Sequence, residues 1–548
     1  MTTTDQRGAA AAPPRSEKST IVLLFSGLMV TMLMASISQT ILSTALPTIV
    51  GELGGVDQMT WVITGYVLAS TVMMPVYGRI SDLFGRKPVL LAAISLFIAG
   101  SIVGGLAQGM GMLVAARVLQ GLGGGGLMIL SQSAIADVVP ARDRGKYMGI
   151  MGAVFAVSSV AGPLVGGWLT EGPGWRWAFW LNIPLGILSL LATVLLLRLP
   201  KVEREGKPRI DYLGMALIAG ATIATVLVCT WGGGEYAWGS WQILGLIALA
   251  VALAGAFIGV ERRAAQPVLP LDLFKNRNFT MATLAGLFIG IAMFGVVSYM
   301  PTYIQMVTGV DATEAGMLMV PMMGGLLAAS IISGQLVSRT GRYKIYPLVG
   351  SIIMAAGLFL TSTLSIDSPT WLLCTYIAIF GIGIGLGQQI LVLIVQDAFP
   401  ATIVGTATAG FNYFKQVGAT VGSAVVGTVF ATHLADRLTV HLAQADGGGA
   451  AVDTHALTPA AVAQLPDGLR IPILESYNEA LLPILLWLVP VAIFAAVATY
   501  FVKEKVLSTR VEHQVADEAL AEGELLVMVD PDDAGNAIPV GADAHERR

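Results

Sequence analysis

Two basic residues, Arg117 and Lys415, lie deep inside apolar stretches that are long enough to cross a lipid bilayer. A charged side chain at mid-membrane costs at least about 2.5–3.5 kcal/mol, so it is expected to face a cavity or a partner. Lys415 could pair with a carboxylate or with an acidic substrate. Arg117 could instead snorkel to an interface, because it is only a few residues from one end of its stretch.

A second group of charges interrupts the apolar sequence at GRISDLFGRK, residues 78–87. Its two glycines allow helix ends to approach closely, and Asp82 can then lie against a helix N-terminus or a basic side chain. Asp137 could complete a charge network with Arg79 or Arg86, or it could be a plain helix-end carboxylate. We predict that this turn forms a breakable contact between two parts of the molecule.

Other kinds of chemistry find no support in the sequence. The apolar stretches hold no cluster of His, Cys or acidic residues and the chain has no G-x-x-x-x-G-K-[ST] loop, so neither an enzyme nor an ATP-driven pump is predicted. GLGGGG at 121–126 fits G-x-G-x-x-G but follows no strand, and its small residues predict close helix packing instead. Cys229 and Cys374 are predicted to be core residues without a disulfide. No cofactor or metal is expected.

The composition indicates which elements position these residues. The 548 residues are 55% hydrophobic and 12% charged, with a mean hydropathy of +0.75, which is too little charge for a soluble chain of this length. Fourteen apolar stretches of about twenty residues each can cross the hydrocarbon core. The first lacks the layout of a cleaved signal peptide, so it is expected to be retained. We predict an all-α polytopic membrane protein.

Lysine and arginine are concentrated in alternate loops, and Arg176 is the only basic residue of the six short loops on the opposite side. Because cytoplasmic loops carry the excess of positive charge, the side that holds residues 78–87 is predicted to be cytoplasmic. Both termini are expected on the same side of the cytoplasmic membrane.

GQLVSRTGRYK at 334–344 echoes residues 78–87 after a stretch of matching rank. Parallel repeats of this kind build transporters with a central site. The predicted parts are a cytoplasmic tail at 1–20, a six-helix bundle at 21–198, an inserted helix pair with linkers at 199–278, a second six-helix bundle at 279–501 with a long extracellular loop at 432–478, and a cytoplasmic tail at 502–548.

Three motifs resemble those of the major facilitator superfamily, in the order expected for it. GRISDLFGRKPVLL resembles the cytoplasmic-loop motif, RVLQGLGGGG at 117–126 the fourth-helix arginine motif, and SSVAGPLVGG at 158–167 the antiporter motif of the fifth helix. WRWAFWLNIPLG at 175–186 and the fourteen spans resemble the drug:proton antiporter branch. The resemblance covers about 21–501 and implies a major-facilitator fold of two six-helix bundles plus an inserted helix pair.

The resemblance also implies roles for particular residues. Arg117 stands at the position that the family links to proton coupling, and Gly162 and Pro163 stand in the motif that goes with export and closure of an outer gate. This chain departs from the pattern at Ser38, where the drug:proton antiporter branch usually carries an aspartate before an A-L-P turn. The resemblance therefore implies proton exchange, but the sequence does not identify a carboxylate that would carry the proton.

The candidate residues form two groups. Proton coupling and gating are assigned to Arg117, Asp82, Asp137, Arg86, Gly162 and Pro163. Candidate cavity residues, each of which could also serve only in helix packing, are Ser38, Tyr66, Gln120, Tyr299, Gln305, Gln388, Gln389, Asn412 and Lys415.

These features predict a secondary active efflux transporter that exports amphipathic, cationic or neutral drugs or antibiotic-like natural products by alternating access, in exchange for protons. A methionine-rich chain suits a cavity that adapts to different shapes. The alternatives are a lipid or lipid-conjugate exporter on the same fold and a non-transporting membrane sensor. The expected partners are the small-molecule substrate, protons and the lipid bilayer, without nucleic acid, and the chain is expected to be a monomer.

Overall fold

The computed structural model describes residues 17–55, 58–197, 209–444, 462 and 465–508. Within these ranges the named secondary-structure elements are all helices. Fourteen spans are long and apolar enough to cross a membrane, which confirms the predicted number. Most of the two predicted tails and the middle of the predicted 432–478 loop lie outside the described residues.

We label the spans α1 to α14 in chain order. Their bounds are α1 Val22–Leu53, α2 Met59–Phe84, α3 Arg86–Gly105, α4 Met110–Val138, α5 Ala141–Glu171, α6 Trp177–Leu196, α7 Tyr212–Trp231, α8 Trp241–Glu261, α9 Arg277–Thr308, α10 Thr313–Thr340, α11 Ile345–Ser362, α12 Thr370–Asp397, α13 Val404–His441 and α14 Gly468–Tyr500.

Two helices extend beyond the predicted spans. The helix of α13 continues to Gln444, and the helix of α14 begins at Asp467, so both ends of the predicted 432–478 loop are helical. Leu434 and Leu438 are four residues apart and share a helix face. They belong to one buried apolar cluster with Ile473, and this packing stabilises the extensions.

Helices α1–α6 pack mainly with one another, as do α9–α14. The two bundles meet along two pairs of helices, α2 with α13 and α5 with α10. The echo between 78–87 and 334–344 is visible here: a Cβ at Gly78 would overlap Ala409 of α13, and a Cβ at Gly334 would overlap the backbone of Gly145 in α5. The glycines that end α2 and α10 both have positive φ, 90° at Gly85 and 72° at Gly341.

The inserted pair, α7 and α8, lies beside the contact between α2 and α13. Helix α7 packs against both of these helices, and α8 packs against α7. The hydroxyls of Thr222 in α7 and Tyr413 in α13 are 2.9 Å apart, and the rings of Trp231 and Trp61 meet edge to face at 6.1 Å. The inserted pair is therefore attached to both bundles.

Candidate functional site

A cavity of about 570 Å³ lies between the two bundles. This volume is in the range of sites for drug-sized molecules. Its lining includes Thr60, the second residue of α2, so the cavity extends towards the end of the molecule opposite residues 78–87. Many lining side chains are apolar and adaptable, and these include Met32, Met74, Met128, Met293, Phe155 and Phe294.

Five of the nine predicted cavity residues line this space, namely Tyr66, Tyr299, Gln388, Asn412 and Lys415. Lys415 is the only charged residue among the described residues of the lining. Neutral polar side chains that the sequence did not single out also line it, and they include Gln39, Thr64 and Gln416.

The other four predicted cavity residues lie outside the lining. The buried Ser38 hydroxyl accepts a 3.3 Å hydrogen bond from the amide of Asn182 in α6. Gln120 donates to Ser101 Oγ, and Gln305 donates to the carbonyl of Pro301 in its own helix. Successive residues of a helix point about 100° apart, so one residue of a polar pair can line a cavity while the next does not.

Gln389 shows this effect of helix phase. Its neighbour Gln388 lines the cavity, whereas Gln389 is buried against Gly152 of α5. The first helix shows it as well, because Gln39 lines the cavity and Ser38 faces α6. The position that carries an acid in the resembling branch therefore lies beside the cavity in this chain and does not line it.

The inserted helix α7 contributes Val226, Cys229 and Thr230 to the lining. The role of the inserted pair could not be read from the sequence, because tertiary contacts decide which helices α7 and α8 pack against. A signal was nevertheless present: Val226, Cys229 and Thr230 have the i, i+3, i+4 spacing of one helix face, and two of them are polar or polarizable within an aliphatic stretch.

Arg117 is fully buried between α2, α3 and α4, so the snorkelling alternative does not apply. Its Nη1 donates to Gln120 Oε1 at 2.8 Å, and its Nε donates to the carbonyl of Val62 at 3.2 Å. The guanidinium lies 4.2 Å from the ring centroid of Tyr66, a cation–π distance. The ion pairs of the described residues include none with Arg117. Arg117 thus lies behind a residue of the cavity wall.

Asp82 connects the two bundles at the end that carries residues 78–87. Its Oδ2 accepts hydrogen bonds of 2.6 Å from both the backbone N–H and the hydroxyl of Thr406. Its Oδ1 accepts from the N–H of Gly405 at 3.1 Å and from Arg86 Nη1 at 2.9 Å. These amides open α13, so the carboxylate occupies a helix N-terminus, where the helix dipole favours a negative charge.

Arg86 completes this contact. It pairs with Asp82 and with Asp137 of α4, and its Nη2 donates to the carbonyl of Ala401 in the second bundle at 3.1 Å. Arg86 and Asp82 are each 5% exposed, so these charges are shielded from water and count for more than a surface pair. We call Asp82, Arg86, Asp137 and the first turn of α13 the latch.

The repeat supplies a related contact on the other pair of helices. Ser338 follows Gly334 by four residues, as Asp82 follows Gly78. The Ser338 hydroxyl accepts a 3.0 Å hydrogen bond from the backbone N–H of Lys146. The backbone carbonyl of Ser338 accepts one of 3.2 Å from Arg142 Nε. The molecule is therefore closed at the latch end on both helix pairs.

A second layer of bonds lies between the latch and the cavity. The amide of Asn412, a lining residue, donates to Gln132 Oε1 of α4 at 3.0 Å. Gln396 of α12 donates to the carbonyl of Gln132 at 3.2 Å. All three side chains are buried, and the bonds cross between the bundles. Gln132 and Gln396 were not among the residues predicted from the sequence, although an amide within an apolar stretch is a usable signal for helix contacts.

The 158–167 motif lies where α5 contacts α1, in the half of α5 away from the latch. The Thr40 hydroxyl donates to the carbonyl of Ser158 at 3.0 Å, and a Cβ at Gly162 would overlap Thr40. Pro163, the next residue, is exposed. The motif therefore brings α1 and α5 into close contact.

Gly162→Ala is expected to push α5 away from α1, because the added methyl group cannot fit beside Thr40. We expect the melting temperature of the purified protein to fall by several degrees, for a cost of about 1–3 kcal/mol. Gly167→Ala is the matched control, since a Cβ there meets no atom within 4 Å. Equal melting temperatures for the two variants would contradict the close contact.

Comparisons with known proteins agree with this architecture. The family model of the Major Facilitator Superfamily matches residues 28–423. An MFS-type transporter of Mycobacterium tuberculosis is 42% identical over 482 residues, which are 88% of this chain and 69% of that protein. The multidrug transporter protein MdtP of Bacillus subtilis is 38% identical over 423 residues, 77% of this chain and 78% of its own.

Another relative and a solved structure extend the comparison. Multidrug resistance protein 3 of Bacillus subtilis is 32% identical over 492 residues, 88% of this chain and 95% of its own. The proton:xylose symporter XylE shares the fold with a TM-score of 0.58 at 15% identity, covering 91% of this chain and 99% of its own.

The chain belongs to the Major Facilitator Superfamily. It is a multi-pass membrane transporter and not an enzyme, as the sequence predicted.

Proposed function

We propose that this protein exports amphipathic drugs or antibiotic-like compounds across the cytoplasmic membrane by alternating access. The observation that carries the proposal is a drug-sized, largely apolar cavity between two bundles, closed at one end by buried bonds that cross between them. Such bonds can break as a unit when one bundle rocks against the other, which would open the cavity to the other side.

The orientation follows from the positive charges. The latch end faces the cytoplasm in this proposal, so the structure is the outward-facing state of the cycle. The names of MdtP and multidrug resistance protein 3 support export of drugs as the class of activity.

We propose that protons drive export and that carboxylates of the latch carry them. Asp82 is a carboxylate whose surroundings change when the latch opens, because its bonds from Gly405 and Thr406 of α13 cross between the bundles. Asp137 is linked to it through Arg86, which pairs with both carboxylates. A group that carries protons between two sides needs surroundings that differ between the two states. This assignment replaces the first-helix acid of the resembling branch, which is Ser38 here.

Proteoliposomes test this proposal with a panel of dyes that differ in charge: cationic ethidium, neutral phenylnaphthylamine and the anionic anilinonaphthalene sulfonate (ANS). A pH gradient and a membrane potential are imposed separately. We expect at least one dye to move when the pH gradient alone is applied. Dye movement that does not depend on the pH gradient would contradict proton exchange. If none of the dyes moves, the result would contradict export and favour the sensor alternative.

A further inference from the structure

We infer that the cavity is built for amphipathic organic monoanions, with Lys415 as the residue that receives the anionic group. The inference deepens the proposed function and rests on it, because it names the charge class of the exported compound. It also revises the expectation of cationic or neutral substrates that the sequence alone suggested.

The charge of the cavity wall carries the argument. Lys415 is the only charged residue among the described lining residues, and the remaining polar lining consists of amides, hydroxyls and the Cys229 thiol. The ion pairs of the described residues include none with Lys415. An ammonium group without a carboxylate, held in a largely apolar space, is costly until an anion reaches it.

A second cation adds to the same field. Arg117 lies behind the wall, 4.2 Å from the ring centroid of Tyr66, and it too is without a carboxylate in the described part of the chain. Two positive charges in surroundings of low dielectric constant attract an anionic ligand and repel a cationic one.

The surroundings of Lys415 suit an amphipathic anion. Gln416 and Asn412 lie next to it and one turn away on α13, and both line the cavity, so amides are available beside the ammonium group. Met293 and Phe294 on α9, which packs against α13, and Phe155 on α5 also line the cavity and offer an apolar and aromatic surface for the body of the ligand. A ring system with one carboxylate or sulfonate fits this arrangement.

The size of the cavity argues for a compact anion over an anionic lipid. Its volume of about 570 Å³ lies within the range for single drug-sized ligands. An anionic phospholipid presents the same charge, so it is treated as the competing source of the anion in the test.

Cys229 provides a native reporter, since it lies in the cavity wall on α7. The experiment measures how strongly a ligand slows the reaction of Cys229 with a maleimide in purified protein carrying Cys374→Ala. The probes are ANS, its neutral analogue phenylnaphthylamine, which lacks the sulfonate, and ethidium. This readout reports binding and needs no transport.

We expect ANS to protect Cys229 at a concentration at least about tenfold lower than phenylnaphthylamine. Lys415→Met should remove this advantage while leaving phenylnaphthylamine unchanged, and Lys415→Arg should retain it. Lys415→Glu should reverse the order and favour ethidium. Equal maleimide rates without ligand and equal melting temperatures show that the variants are folded.

Three outcomes would overturn the inference. One is protection by ethidium and not by ANS in the unmodified protein, and another is an ANS advantage that survives in Lys415→Met. The third is protection by short-chain phosphatidylglycerol but not by ANS, which would assign the site to a lipid. Failure of the proposed function looks different: ANS then protects Cys229 through Lys415, yet none of the dyes moves across proteoliposomes.

Discussion

Asp82→Asn is expected to open the latch. The substitution removes a buried negative charge from the first turn of α13 and from Arg86, and it leaves that guanidinium with Asp137 alone. Hydrogen bonds to a charged group contribute about 1.5–3 kcal/mol. Because the bonds from α13 to Asp82 join the two bundles, their weakening falls on the state closed at this end, whose population should drop at least about tenfold relative to the open state.

Cross-linking measures this shift. The backbone N–H of Lys146 lies 3.0 Å from Ser338 Oγ at the same end, so Lys146→Cys and Ser338→Cys form a reporter pair between the bundles. In a background of Cys229→Ser and Cys374→Ser, Asp82→Asn should slow disulfide formation strongly and should slow transport with it. Asp272→Asn is the matched control, because that carboxylate is 82% exposed and pairs only with exposed Lys275. Equal cross-linking rates in both variants would show that Asp82 does not hold the bundles together.

Arg117→Ala is expected to slow movement driven by a pH gradient strongly. The substitution leaves the Val62 carbonyl and Gln120 Oε1 without the donor that they share, and it removes the cation behind Tyr66. An unsatisfied buried polar group costs about 1–3 kcal/mol, so the cavity wall should relax. We expect the transport rate in proteoliposomes to fall at least about tenfold.

Arg117→Lys separates the role of the hydrogen-bond geometry of the guanidinium from the role of its charge. Lysine keeps the charge but cannot bond to Val62 and Gln120 with the geometry of a guanidinium, so partial activity is expected. Lys87→Ala is the control, since Lys87 is a partly exposed cation that donates to the Val194 carbonyl. Full transport under a pH gradient in Arg117→Ala would contradict any coupling role for this residue.

Residue type and spacing predicted the parts of the site that depend on local chemistry. A lone acid between two glycines at the end of a span indicated a helix N-terminus or a basic partner, and Asp82 has both. A cation inside an apolar stretch indicated a cavity or a partner: Lys415 lines the cavity, and Arg117 has polar partners behind its wall.

The rest depends on helix phase and on packing between distant helices. Ser38 and Gln389 each have a polar neighbour that lines the cavity, and a rotation of about 100° separates the two members of each pair. The sequence predicted an inserted pair and its spacing marked one face of α7, but it did not show which helices the pair packs against, so the place of Cys229 in the cavity wall was missed.

Alternating access requires the latch end to open during each transport cycle. The same Lys146→Cys and Ser338→Cys pair tests it when transport is measured in proteoliposomes before oxidation, after oxidation and after reduction with dithiothreitol. The control is a pair within one bundle, Ser38→Cys with Asn182→Cys, whose side chains are 3.3 Å apart. We expect oxidation of the pair between bundles to reduce transport below about a tenth and reduction to restore it, while the control pair has little effect. Unchanged transport in protein whose Lys146→Cys and Ser338→Cys pair is fully cross-linked would contradict alternating access through this end.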